Sequence, residues 1–136
     1  MQATLSYEIY ILIITVIMTG LMWIPYIVNR MYELGVISAL WDPFGHTEAK
    51  AAWANRMMSA HENAVENLII FAPLVLAAHY LGISNEMTAI ACDLYLVSRA
   101  IHFVVFTFAV PLLRVVSFLS GFSAQTILAV TLLKLA

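Results

Sequence analysis

Residues 9–28 read IYILIITVIMTGLMWIPYIV, twenty positions without a formal charge. At ~1.5 Å per helical residue, such a run spans ~30 Å, the thickness of a bilayer's hydrocarbon. It is longer than the apolar region of a secretory signal. No Lys or Arg precedes it, and Glu8 stands where a signal's positive region would be. The run therefore reads as a retained transmembrane helix, over about 7–30. Pro25 predicts a bend in its last turn, and Asn29, Arg30 and Glu33 mark its exit to water.

The same reading extends along the chain. Residues 36–47 form the longest connection, with Gly35 loosening its start and a turn at Asp42, Pro43, Phe44 and Gly45. Trp41 and Phe44 suit a membrane interface. Thr47 is placed to cap a second helix over about 48–82, with Glu48 in its first turn. The first half of that helix is polar, and residues 68–81 are apolar apart from His79. Gly82 ends it, and Ser84, Asn85 and Glu86 open a third helix over 86–109. This third helix carries Asp93, Arg99 and His102. Pro111 breaks the pattern, and a fourth helix over 112–135 carries Arg114 and Gln125.

Composition agrees with lipid as the solvent. Of the 136 residues, 63% are hydrophobic and 10% charged, and the mean hydropathy is +0.94. A soluble domain carries roughly 25% charged residues. The expected fold is an all-α integral membrane protein, one four-helix transmembrane bundle. The net charge of −2, with six basic residues spread along the chain, offers no patch for nucleic acid. Cys92 is the single cysteine, so no internal disulfide exists, and its apolar surroundings predict an inert buried thiol. Arg30, Lys50, Arg56, Arg99 and Arg114 lie in or near the connections between spans one and two and between spans three and four. Only Lys134 lies on the terminal side. The positive-inside rule places those two connections in the cytoplasm.

The polar residues inside the spans fall on stripes. On a wheel of about 100° per residue, Arg56, Asn63 and Asn67 lie within about 40°, and Glu66 lies about 80° from Arg56. His61 points elsewhere. On the third helix Tyr95, Arg99, His102 and Phe106 share one face; on the fourth, Arg114, Phe118, Gly121 and Gln125 do. All three stripes lie toward the same membrane face. A charge deep in the bilayer costs at least ~2.5–3.5 kcal/mol, so the stripes are expected to face each other or a neighbouring subunit. The resulting pocket is net positive and favours an anionic ligand. Simpler readings of the same residues stand beside it. Arg99 and Glu66 could form an interhelical salt bridge, Asn63 and Asn67 could bond between helices, and Arg56 and Arg114 could snorkel to headgroups. Metal chemistry has little support: His61 and Glu62 are followed by Val65 rather than a second ligand, and His46 and His79 have no partner at ligand spacing. No nucleophile-elbow motif occurs.

The run from Arg56 to Asn67, with Ala60, His61, Asn63 and Glu66 between, resembles the R-x-x-x-A-H-x-N-x-x-E-N signature of the MAPEG family, the membrane-associated proteins of eicosanoid and glutathione metabolism. Arg99 and His102, followed by Phe106, Pro111 and Arg114, resemble a second block of that family. The match covers nearly the whole chain and is best to the shorter bacterial branch. The resemblance implies a homotrimer in a bacterial inner membrane. It also implies glutathione bound between subunits near the cytoplasmic face and a lipophilic substrate arriving from the bilayer. Arg56, Asn63, Glu66 and Arg99 would bind the tripeptide. Arg114 would stabilise its thiolate, with His102 beside it, for transfer to an electrophile or reduction of a hydroperoxide. Two positions depart from the family pattern. Phe106 replaces a tyrosine that bonds the thiol in many members, and Ser59 replaces an arginine of the animal enzymes. The alternative implied by the same fold is a non-catalytic lipid-binding or scaffold protein.

Overall fold

The computed structural model describes residues 5–42 and 48–135. Pro43, Phe44, Gly45, His46 and Thr47, including most of the expected turn and the expected cap, lie outside the described residues. Among those described, four helical segments are long and apolar enough to cross a membrane: Tyr7–Leu34, Ala52–Tyr80, Glu86–Thr107 and Pro111–Leu135.

The first segment is two helices, α1 (Tyr7–Leu21) and α2 (Ile24–Leu34). The break falls at Met22 and Trp23, one turn before the bend expected at Pro25. Pro25 has no N–H to give the carbonyl four residues back, that of Leu21, so α1 stops there; proline then suits the first turn of the helix that restarts. The helix also runs past Asn29 to Leu34, because its polar residues find partners. Asn29 donates to Glu33 at 2.9 Å, and Arg30 pairs with Asp42. Gly35 follows at φ +82°, a conformation suited to glycine. A short helix, α3 (Val36–Leu40), then occupies part of the expected connection.

Helix α4 (Ala52–Tyr80) begins four residues after the expected start at Glu48. The reason is Glu33: its carboxylate accepts the N–H groups of Lys50 at 2.8 Å and Ala51 at 2.9 Å, holding them outside the helix. Helix α5 (Glu86–Thr107) opens on a capping box, with Asn85 Oδ1 accepting from Met87 and Thr88 and the Thr88 hydroxyl accepting from Asn85 N–H. It ends two residues before the expected position, and Ala109 turns the chain at φ 58°. Helix α6 (Pro111–Leu135) starts on the proline itself.

The helices close on small side chains. Ala78, Ala91 and Ala124 are fully buried, and Phe71 stacks on Tyr95 with ring centroids 3.7 Å apart. Small residues let helices approach where no hydrophobic drive from water exists. The outward faces carry Ile13, Ile17, Ile69, Val104 and Phe122, all exposed, as lipid contact requires. Polar ties fix the two ends. At the terminal face, buried Glu8 accepts from Ser84 Oγ at 3.0 Å and Thr88 Oγ1 at 2.5 Å. Asp93 accepts from the Tyr7 hydroxyl at 2.7 Å.

Candidate functional site

The three polar stripes meet between α4, α5 and α6. Arg99 is 2% exposed, and its Nη2 donates to Asn63 Oδ1 at 2.5 Å. Its Nε and Nη1 are buried without a hydrogen-bond partner among the described residues. The guanidinium carbon lies 5.9 Å from the Phe118 ring centre. Gly121 makes the lane for this side chain. A Cβ there would stand 3.2 Å from Arg99 Cδ and 3.1 Å from Ser98 Oγ, tighter than ordinary contact. Deeper in the bundle, Gln125 Nε2 donates to the Asn67 carbonyl at 3.0 Å. The Tyr95 hydroxyl, close to that amide, is buried without a bond of good geometry.

His102 is held by the start of α6. Its Nδ1 lies 3.1 Å from the Arg114 carbonyl and 3.1 Å from Ser117 Oγ. A carbonyl only accepts, so the bond to it assigns the proton to Nδ1; Ser117 meanwhile gives its own proton to the Leu113 carbonyl at 2.7 Å. The neutral ring then keeps Nε2 as a free acceptor. Arg114 lies with its guanidinium carbon 5.2 Å from the Phe106 ring centre, a cation–π contact. Its side chain bonds to no other group among the described residues. Asn63, His102, Phe106, Arg114, Phe118 and Leu119 line a cleft of about 230 Å³ that opens outward.

The structure thus brings Asn63, His102 and Arg114 to one cleft, with Arg99 directly behind Asn63. Arg56 and Glu66 do not line it. Arg56 Nε donates to the Thr107 carbonyl at 2.7 Å and ties down the end of α5. Glu66 is exposed on the outer face of α4. The salt bridge weighed between Arg99 and Glu66 is replaced by the bond from Arg99 to Asn63. His61 turns away and shares a hydrogen bond of 2.8 Å with the Tyr26 hydroxyl. Sequence reading missed Ser117 as the support of His102, although it lies one turn from Arg114. It also missed Glu8 as a buried group, although a carboxylate next to an apolar span signals a hydroxyl or cationic partner.

The Arg114 guanidinium and an imidazole, with the buried Arg99 behind Asn63 and no carboxylate among the lining residues, make a cleft suited to an anion or an acidic thiol. The molecule is therefore a multi-pass membrane protein with a cationic cleft at one end of its bundle. Its sequence matches the model of the MAPEG family over residues 7–134, nearly the whole chain, and it belongs to that family. No curated protein and no solved structure matches it.

Proposed function

We propose that the protein is a glutathione-dependent transferase or peroxidase acting on lipophilic electrophiles or hydroperoxides, with Arg114 stabilising the thiolate. One observation carries this reading. The Arg114 guanidinium stands at the cleft with no anionic partner among the described residues, held over Phe106 and beside a histidine whose Nε2 bonds to none of them. A positive charge near a thiol favours its thiolate, and Nε2 can take the proton released. The donor set also suits the tripeptide's charges. Behind Asn63, Arg99 has two buried nitrogens with no hydrogen-bond partner among the described residues, a positive charge suited to a carboxylate, and Glu66 offers an anion for the ammonium. Glutathione is consumed here as a substrate. In transfer, its sulfur bonds the electrophilic carbon and the leaving group departs with the bonding pair. In reduction, the sulfur takes the distal peroxide oxygen, the alcohol leaves, and a second glutathione yields disulfide and water.

The cleft opens outward, and Glu66 lies outside it. Both facts favour a homotrimer in which a neighbouring copy closes the site and brings its own Glu66 to the ligand. In a bacterial inner membrane, the excess of basic residues would set the cleft toward the cytoplasm.

Phe106 supports a second reading. Phenylalanine cannot donate to a thiol, so the same cleft would bind glutathione or a lipid without activating it. Titrating glutathione into the purified protein while following thiolate absorbance and binding heat separates the two. The transferase reading expects a thiolate signal that Arg114→Ala abolishes. Heat without a thiolate signal selects the second reading with glutathione as its ligand, and the absence of both signals refutes glutathione as the ligand of this cleft and leaves the lipid-binding form of the second reading.

A further inference from the structure

A groove of about 590 Å³ lies at the opposite end of the bundle from the Arg114 cleft, between the first turn of α5 and the last turns of α6. Met87, Ile127, Val130 and Leu135 give it apolar walls. Most of its polar lining is already committed. Thr126 donates to the Phe122 carbonyl at 3.0 Å and Thr131 to the Ile127 carbonyl at 2.8 Å, which leaves mainly their methyl groups to the groove. Asn85 Oδ1 is engaged by the N–H groups of Met87 and Thr88. Two uncommitted charged groups remain, Glu86 and Lys134. Both are exposed, and neither forms an ion pair among the described residues. Because α5 begins and α6 ends here, the charges stand at headgroup level and the apolar walls run toward the hydrocarbon.

We infer that this groove binds a phospholipid whose zwitterionic headgroup carries a primary ammonium. An acyl chain fills the apolar trough, Lys134 pairs with the phosphate, and Glu86 accepts from the ammonium. The charge pattern makes the choice. An anionic headgroup meets Lys134 but is repelled by Glu86. A choline headgroup carries the same two charges yet has no N–H to donate to the carboxylate. This site is independent of the chemistry proposed for the Arg114 cleft.

The test uses the full chain, delipidated in detergent. Native mass spectrometry then measures retention of phosphatidylethanolamine, phosphatidylcholine and phosphatidylglycerol with identical acyl chains. Phosphatidylethanolamine is expected to bind about tenfold tighter than either other lipid, the size of one charge-assisted hydrogen bond. Glu86→Gln should erase that preference, Lys134→Ala should weaken retention of all three lipids through the phosphate they share, and Val130→Trp should fill the trough and remove binding of all three. Equal retention of the three lipids by the unaltered protein overturns the inference, as does a preference that survives Glu86→Gln or retention that Lys134→Ala leaves unchanged. A disulfide between copies of Val130→Cys overturns it too, since a second chain would then occupy the groove. If Val130→Trp does not fold, the two charge variants decide the matter.

Discussion

Arg99 concentrates the energetics of the bundle at one residue. It is a cation in a membrane span, almost wholly buried, with one side-chain acceptor in Asn63. Asn63→Ala strips that acceptor and leaves the guanidinium on the Phe118 ring alone. The expected loss is ~1–3 kcal/mol, the value of a hydrogen bond to a charged group, seen as a lower midpoint of thermal unfolding in detergent. Asn63→Asp supplies an anion in the same place and should restore the midpoint. If Asn63→Ala leaves it unmoved, the asparagine is not what satisfies Arg99. Phe106 poses the complementary question. Its ring carries Arg114, and a tyrosine ring can do the same while adding a hydroxyl beside the cleft. Under the transferase reading, Phe106→Tyr should raise the turnover of an electrophilic substrate by at least ~10²-fold, the lower range for a positioned proton donor. An unchanged rate would mean that the thiol does not lie against this residue.

At the level of elements, two carboxylates set where helices begin and how they attach. Glu33, on α2, caps the start of α4 by taking the N–H groups of Lys50 and Ala51. Glu33→Ala should speed hydrogen exchange at those two amides and leave the middle of α4 protected; slow exchange there would show another group holding them. Glu8 does the matching work at the other face, joining α1 to the start of α5 through Ser84 and Thr88. Glu8→Ala is expected to cost ~1.5–3 kcal/mol and to loosen α1 first, because the bonds lost are those to a buried charge. These ties were not legible in the sequence. Span lengths follow from runs of apolar residues, and the stripes from the helical repeat, so both could be read in advance. The partners of Glu8 lie 76 and 80 residues away in the chain and those of Glu33 lie 17 and 18, and no local pattern encodes such a distance. The start of α4 was misplaced for that reason: a start at Glu48 was expected, whereas a remote side chain holds the N–H groups of Lys50 and Ala51 outside the helix. The break at Met22 differs again, since Pro25 announced it and only its direction of action, back toward Leu21, was misjudged.

For the whole molecule, the division between the two ends matters most. The cleft with Arg99, His102 and Arg114 sits where α5 ends and α6 begins, while Glu8, Glu86 and Lys134 sit where α1 and α5 begin and α6 ends. Because the two groups lie at opposite ends of the membrane-spanning helices α5 and α6, they stand toward opposite sides of the bilayer. Helical wheels recovered the first group because its members repeat every three or four residues on facing helices. They did not exclude Arg56 and Glu66, since the shared face of a long helix does not say which turns reach its neighbours. The orientation itself is open to direct measurement. Lys50 and Lys134 are both exposed and lie at opposite ends, and the native Cys92 is fully buried, so engineered thiols can be labelled over a quiet background. The bias of basic residues predicts that Lys50→Cys in intact cells resists a membrane-impermeant maleimide until the membrane is opened, whereas Lys134→Cys reacts at once. The reverse pattern would put the cationic cleft on the outer side, away from the cytoplasmic pool of reduced thiol on which a glutathione-dependent enzyme would draw.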